Sequence, residues 1–224
     1  MARSSSTSVE IPQGTILLAT GNPAKQQMLR WLVEGLALTP TTPEQLGLDA
    51  PADEEGDTHQ AIAGHKARQY SLAGSTLAIA SDGGLVLPAL GDRWQSRYTH
   101  RFAGPAADDI ERVRRLLELM RPYQGTDREA SWLEGLAIAR RGKVLASWEL
   151  RGSTGVIAEM PGDATNTPGD TPGFWAFSVW YFPQFGKTYS QLSTGERDSL
   201  DDHWGRLRQL VHRYFNAYFV TAGN

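Results

Sequence analysis

The amino-acid sequence predicts a mixed α/β fold, in which short buried strands alternate with amphipathic helices. Two short apolar runs, at residues 16–19 and 77–80, each end in a cluster of small and polar residues. Alternating apolar residues on both sides of Arg141-Gly142 predict a β-hairpin. Near residue 210, apolar residues recur in steps of three and four, which predicts a long helix.

The first strand is predicted over residues 14–19 and the first helix over about 24–34. Pro23 suits the first position of a helix, and Thr20-Gly21-Asn22 forms the junction, with Lys25 in the first helical turn. Unpaired N–H groups and the helix dipole attract anions to such a junction. An ordinary turn with a solvated lysine is the alternative, because the spacing does not match a Walker A loop.

The second helix is predicted to begin after a cap at Asp57 or Thr58 and to run to Ala73. The acidic loop before it, Asp53-Glu54-Glu55, offers the oxygen ligands that Mg²⁺ prefers; a solvated loop is the alternative. Lys66 borders the apolar stripe, where it can extend to solvent or meet a phosphate. His59 and His65 are six residues apart, a spacing that does not place two zinc ligands on one helix face.

The second strand is predicted to end at Ala80 and to return at residues 85–88. Ser81-Asp82-Gly83-Gly84 would then be a turn at the end of a buried strand. An acid followed by two glycines can reach a cleft in which a metal or a phosphate approaches the backbone. The alternative is that Asp82 only caps a tight turn.

The remaining elements are a helix capped by Asp108-Asp109, the hairpin, an irregular stretch at residues 159–173 and the last helix. The predicted inner faces consist of Ile110, Val113, Leu117 and Met120 in the helix, Trp132, Leu136 and Ile138 in the first hairpin strand, Val144, Ala146, Trp148 and Leu150 in its partner, and Trp204, Leu207, Val211, Tyr214 and Tyr218 in the last helix. Gly186-Lys187-Thr188 is similar to the end of a P-loop, but Tyr181 stands where that motif requires glycine.

The composition of the chain narrows the range of possible functions. The chain has 224 residues, a net charge of −3 and no cysteine, which argues against a nucleic-acid-binding or membrane-surface protein and excludes disulfides and cysteine catalysis. We expect residues 1–12 to form a flexible tail without the character of a signal peptide. We expect residues 13–220 to form one domain in a cytoplasmic protein.

In order along the chain, several segments resemble the inosine/xanthosine triphosphate pyrophosphatase family, enzymes that remove deaminated purine nucleotides. Residues 18–25 are similar to its strand and Thr/Ser-Gly-Asn-x-x-Lys opening, and residues 54–67 to its Glu-x-Gly-x-Thr segment and Lys-Ala helix. Residues 81–85 are similar to its Asp-Asp-Ser-Gly-Leu, and residues 98–102 to its Tyr-Ser-Ala-Arg-Tyr. The similarity extends over about residues 15–210.

This resemblance implies a long curved sheet with flanking helices, two lobes around a central cleft, and a homodimer. It implies that Mg²⁺ assists the attack of water on a nucleoside triphosphate, giving the monophosphate and pyrophosphate. Asp82 would be the general base or a metal ligand, and Glu54 a metal ligand. The implied substrate-binding residues are Thr20, Gly21, Asn22, Lys25, Lys66, Gly83, Phe174, Trp175, Arg197, His203 and Trp204.

The chain departs from the family pattern at several positions. Ser81 replaces the first of the paired acids, and Ala61-Ile62 replaces the Glu-Asn of the second helix. Of the base-pocket motif Phe-Gly-Tyr-Asp-Pro, Phe174 survives, and Trp204 stands where the family has an arginine that binds the purine 6-oxygen. The departures lie mainly where the base is bound, although Trp204 also begins the apolar stripe of the last helix.

Three hypotheses remain. The first is an active pyrophosphatase with altered base preference, favoured because the phosphate-side residues survive. The second is a nucleotide-binding or regulatory protein that has lost turnover, and the third is a pyrophosphatase for another nucleotide, such as a modified or pyrimidine triphosphate.

Overall fold

The computed structural model describes residues 14–49, 55–159, 174–200 and 202–222, with the backbone alone for residues 218–222. The helices are α1 Pro23–Val33, α2 His59–Ala73, α3 Asp109–Met120, α4 Thr194–Ser199 and α5 His203–Ala222. The strands are β1 Thr15–Leu18, β2 Thr39–Thr41, β3 Leu77–Val86, β4 Glu129–Arg140, β5 Lys143–Arg151, β6 Gly155–Ile157, β7 Trp180–Phe182 and β8 Lys187–Thr188.

The strands form one eight-stranded mixed sheet in the order β2-β1-β3-β4-β6-β7-β8, with β5 also paired to β4. β1 is parallel to β2 and β3, whereas the other pairs are antiparallel. The long strand β4 pairs with β6 through its first residues and with β3 and β5 further on. The predicted mixed α/β class is confirmed.

The two faces of the sheet differ in the size of their side chains. One face presents Ala78, Ala80, Ala137 and Ala139 to the small residues of α2. The other face carries the large apolar core, which includes most of the tryptophans and phenylalanines and the buried side of α5. Because alanines line the first face, α2 lies close to the backbone of β3 and β4.

The predicted turn at residues 81–84 is wrong. β3 continues without interruption from Leu77 to Val86, and its central residues pair with β4 at Gly135 and Glu134. Gly83 and Gly84 do not bend the chain; instead, they leave room for groups packed against the strand. Asp82 therefore lies within a ten-residue strand.

The helix predictions are mostly confirmed. The Oδ1 atom of Asp108 caps α3 by accepting from the N–H of Glu111 at 2.8 Å. The predicted inner face of α3 is wrong at Ile110, which is 62% exposed, while Arg112 is buried. Arg112 can be buried there because it donates to the carbonyl of His100 and pairs with Asp109.

The hairpin turn lies at Arg141-Gly142 as predicted, with positive φ at both residues. The predicted stripe of α5 is confirmed for Trp204, Leu207 and Val211, which are buried. The predicted tail, the irregular stretch from residue 160 to 173 and the side chain of Tyr218 lie outside the described residues. Within the described ranges, no helix is long and apolar enough to cross a membrane.

Candidate active site

The site is centred on Asp82 in β3 and on the first turn of α2. Thr58 caps α2, and its Oγ1 accepts from the N–H of Ala61 at 3.0 Å, which fixes His59 as the first residue of the helix. The backbone of His59 lies against Gly135 of β4, where an added Cβ would be 2.2 Å from its carbonyl carbon. The glycine thus allows the helix to bring His59 onto the strand beside Asp82.

His59 connects Asp82 to Ser96. The Nδ1 atom of His59 is 2.5 Å from Asp82 Oδ2, and its Nε2 atom is 3.0 Å from Ser96 Oγ. An ionised Asp82 can only accept, so His59 Nδ1–H donates to the carboxylate, while Nε2 is within hydrogen-bond distance of the Ser96 hydroxyl. Ser96 is close because Gly84 leaves room for its carbonyl, which would be 1.9 Å from an added Cβ.

Two lysines give this site a positive field. Lys66 Nζ lies 3.3 Å from Asp82 Oδ1, and the charge of Lys25 also acts on this carboxyl group. Burial by itself raises the pKa of Asp82, but the hydrogen bond from His59 and the charges of the lysines outweigh it. The pKa therefore falls from 3.8 to about 2, and the carboxylate is ionised at neutral pH.

The first predicted loop lies beside Asp82 because β1 and β3 are parallel neighbours, with Leu18 paired to Ile79. Asn22 Oδ1 caps α1 by accepting from the N–H groups of Ala24 and Lys25. Thr20 Oγ1 accepts from the N–H of Asn22 at 3.1 Å, and Gly21 leaves open space above the loop. The loop thus brings Lys25 to the same side of the sheet as Lys66.

Glu54, the second predicted metal ligand, lies outside the described residues. Among the residues that the structure does describe, no group of three or more His, Asp or Glu side chains could hold a metal ion. A cleft of about 680 Å³ opens beside the His59–Ser96 contact, and Arg97 and Glu149 also line it. Glu149 Oε2 accepts from the N–H of Gln60 at 2.9 Å and so stabilises the start of α2.

Four of the predicted base-side residues lie together in the aromatic core. Phe174 stacks on Phe177 with centroids 4.9 Å apart and meets the edge of Trp204 at 6.4 Å. His203 is 5.4 Å from the Trp204 ring, and Arg197 lies over Tyr189. Trp175 instead stacks on Phe102, at 5.6 Å. The rings of Phe174, Trp175, His203 and Trp204 are all at most 3% exposed.

Sequence reasoning missed His59 and Glu134. The spacing of His59 from His65 bears only on a zinc site, whereas the contact of His59 with Asp82 depends on the packing of α2 against β3. Glu134 is fully buried on the core face of β4, between Trp132 and Leu136. A charged residue at an inward position of an apolar alternation was the signal that could have identified it.

The side chain of Glu134 also explains why residue 83 is a glycine. These residues are paired across β3 and β4, and a Cβ on Gly83 would be 1.9 Å from Glu134 Oε2. Ser81, where the resembled family has its first acid, lies on the same face two residues along β3. Strand β4 therefore carries a carboxylate, Glu134, beside Ser81 of β3, the position where the resembled family has its first acid.

Comparison with known proteins agrees with this arrangement. Residues 16–212 match the model of the Ham1 family. The chain is 30% identical over 202 residues to the dITP/XTP pyrophosphatase of Escherichia coli, covering 90% of this chain and 98% of that protein. It is 33% identical over 201 residues to the dITP/XTP pyrophosphatase of Thermus thermophilus, covering 89% and 91%.

A solved structure supports the fold independently. The HAM1 protein from Coxiella burnetii superposes with a TM-score of 0.73 at 26% identity, covering 90% of this chain and 98% of that one. The match to the family model, over residues 16–212, extends from β1 into α5 and so includes every described element of the site. The family resemblance is confirmed, and the chain belongs to the Ham1 family.

Proposed function

We propose that this protein is a Mg²⁺-dependent nucleoside triphosphate pyrophosphatase. It hydrolyses purine ribo- or deoxyribonucleoside triphosphates to the monophosphate and pyrophosphate, and its base recognition differs from that of its relatives. Those relatives are named dITP/XTP pyrophosphatases, and the match covers 98% of one and 91% of the other.

The observation that supports the proposal most directly is the cluster of Asp82, Lys66 and Lys25 beside the first loop. Two ammonium groups close to an ionised carboxylate can hold a triphosphate and stabilise charge that develops on its oxygens. The N–H groups of Asn22, Ala24 and Lys25 are already paired within the loop, so the loop contributes the positive end of the dipole of α1, an eleven-residue helix.

The side chains fit Mg²⁺. This ion keeps several waters and is usually held by one or two carboxylates together with substrate phosphates. Asp82 is an ionised carboxylate with lone pairs left beside its two partners, and Glu54 is the proposed second acid. When bound, the ion would supply positive charge to the phosphate oxygens and an orienting point for water.

The pKa of Asp82 favours one of the two roles that the resemblance leaves open. A general base works best when its pKa is near the working pH, whereas a pKa of about 2 makes Asp82 a weak proton acceptor. The same value suits a metal ligand, which must stay ionised. His59 and Lys66 hold the carboxylate from both sides and fix its orientation.

The same contacts also support the second hypothesis, a nucleotide-binding or regulatory protein without turnover. Both oxygens of Asp82 are already engaged, one by His59 and one by Lys66. A protein that binds nucleotide between these groups and does not hydrolyse it would show this geometry too. Measurement of pyrophosphate release distinguishes a pyrophosphatase from a protein that only binds the nucleotide.

The test is a panel of nucleoside triphosphates with Mg²⁺, scored for pyrophosphate release. We expect turnover of at least one purine triphosphate, and we expect Asp82→Asn to lose most of it. Asp127→Asn, at an exposed position in a short 3₁₀ helix, is the matched control and should retain activity. Equal activity in Asp82→Asn would remove this residue from the mechanism, and binding without pyrophosphate would support the non-enzymatic hypothesis.

We also propose a homodimer and a cytoplasmic location. Both rest on the family resemblance, and the absence of cysteine from the sequence suits a reducing compartment. Light scattering on the purified protein tests the first, since a mass of one chain would contradict it. Fractionation of the source cells tests the second.

A further inference from the structure

The hydrogen bond between His59 and Asp82 is charge-assisted and shielded from water. The Nδ1 atom of His59 lies 2.5 Å from Asp82 Oδ2, and the His59 side chain is 1% exposed. A hydrogen bond to an ionised carboxylate is shorter and stronger than one between neutral groups. The terminal torsion of an aspartate has only a broad preference by itself, so this contact selects one orientation of the carboxylate.

A short segment, residues 94–99, is fastened to β3 beside this pair. The Nε1–H of Trp94 donates to the carbonyl of Leu85 at 2.6 Å, and the N–H of Leu85 donates to Thr99 Oγ1 at 2.9 Å. The Thr99 hydroxyl in turn donates to the carbonyl of Ser96 at 2.7 Å. Because Trp94 and Thr99 are both buried, these bonds lie in a medium of low dielectric constant, where they are stronger than in water.

The segment presents the side chain of Ser96 to His59. Ser96 Oγ lies 3.0 Å from His59 Nε2. The carbonyl of Ser96 approaches β3 closely because Gly84 has no Cβ there; an added one would be 1.9 Å from that oxygen. From the next residue, Arg97 Nη1 donates to the carbonyl of Gly56, ahead of α2, at 2.8 Å. Both ring nitrogens of His59 are therefore held, one by the carboxylate and one by a segment that is attached to β3.

The contact with His59 gives the two oxygens of Asp82 different surroundings. Oδ2 faces His59, whereas Oδ1 faces Lys66 Nζ at 3.3 Å. The lysine side, where the charge of Lys25 also acts on the carboxyl group, is the side on which the proposed triphosphate is bound. Oδ1 is therefore the oxygen on the substrate side.

We propose that His59 is a positioning residue: held by Ser96, it fixes Oδ2 of Asp82 and so keeps Oδ1 directed toward the Mg²⁺ and the triphosphate. His59 acts through Asp82 and does not itself touch the substrate. The inference rests on the proposed function, because it concerns the same reaction. Residues that orient a metal ligand contribute about 10- to 100-fold to metal affinity or activity.

The experiment compares two substitutions of His59. His59→Phe keeps a ring but removes the N–H, whereas the amide of His59→Asn can donate from the position of Nδ1. We expect His59→Phe to lower kcat and to raise the Mg²⁺ concentration for half-maximal pyrophosphate release by about 10- to 100-fold, with little change in the KM for the nucleotide at saturating Mg²⁺, because the lysines remain. His59→Asn should recover part of this loss.

Two further variants isolate the contact. Ser96→Ala keeps the bond between His59 and Asp82 and removes only the support behind it, so it should have a smaller effect in the same direction. His212→Phe, at a partly buried position of α5, is the matched control and should retain the kcat and the Mg²⁺ requirement of the wild type.

Proton NMR of the metal-free protein tests the contact without turnover. The Nδ1 proton of His59 should give a downfield resonance, because it lies in a short bond to a carboxylate, and burial should protect it from exchange. The resonance should be absent from His59→Phe and from Asp82→Asn. Its absence from the wild type would overturn the proposal.

The kinetics distinguish positioning from a purely structural role. A structural His59 would lower Tm in both substitutions and leave the kcat and the Mg²⁺ requirement of the folded protein unchanged, which would also overturn the proposal. Should His59→Phe fail to fold, Ser96→Ala decides, since it leaves the bond to Asp82 in place. Wild-type kinetics in that variant would then refute the positioning role.

The two proposals can fail separately. A downfield proton that is lost in Asp82→Asn, with no pyrophosphate released from any triphosphate, would refute the proposed function and leave the contact between His59 and Asp82 standing. Pyrophosphate release that is the same in the wild type and in a folded His59→Phe would refute the positioning role alone.

Discussion

The Asp82 carboxylate should make the protein less stable in acid, by an amount that the structure sets. Its pKa is about 2 in the folded protein and 3.8 as an ordinary side chain, and the group is 13% exposed. At roughly 1.4 kcal/mol per pKa unit, its contacts contribute about 2 kcal/mol of folding free energy at neutral pH. A lowered carboxyl pKa gives stability above the unfolded value, which is lost as the pH falls through the folded value.

The perturbation is Asp82→Asn, and the assay is urea unfolding at pH 7 and pH 3 in the presence of a chelator. Roughly half of the contribution is lost by pH 3, so the wild type should lose about 1 kcal/mol more than the variant over this interval. Comparing each protein with itself at two pH values cancels any constant cost of the substitution. Asp127→Asn should follow the wild type. Equal losses in the wild type and Asp82→Asn would refute the electrostatic account of the site.

Two further substitutions test how the site is built. Gly135→Ala places a Cβ 2.2 Å from the backbone of His59, so we expect it to lower stability by about 1–3 kcal/mol and to reduce activity. The control Gly195→Ala, with open space around it, should change neither stability nor activity. A Gly135→Ala protein with wild-type Tm would contradict the packing of α2. Trp204→Arg should lower Tm because Trp204 is 2% exposed. If its indole also binds the base, the ranking of purine triphosphates by kcat/KM should shift toward 6-oxopurines. An unchanged ranking would assign the side chain to the core alone.

The sequence predicted the elements whose signals are local. The caps at Thr58 and Asp108, the hairpin turn at Arg141-Gly142 and the start of α1 at Pro23 each depend on a few neighbouring residues, and the structure places them as expected. The Ham1 resemblance came from motifs in a fixed order, which is also information along the chain.

The rest depends on contacts between distant residues. The continuous course of β3 was missed because a Gly-Gly pair commonly marks a turn, whereas here each glycine admits a group from elsewhere: Glu134 at Gly83 and Ser96 at Gly84. The same holds for His59, whose partner Asp82 is 23 residues away. Arg112, rather than Ile110, is buried in α3 because the carbonyl of His100 accepts its hydrogen bond.

The central claim is that Asp82 and the two lysines hold a triphosphate for cleavage of the bridge between its α- and β-phosphates. Phosphorus NMR of a turnover mixture containing Mg²⁺ and a purine triphosphate tests it most directly, since it identifies the bond that breaks. We expect monophosphate and pyrophosphate in equal amounts, with no diphosphate. Formation of the nucleoside diphosphate and orthophosphate, or no product at enzyme concentrations at which the nucleotide binds, would contradict the claim.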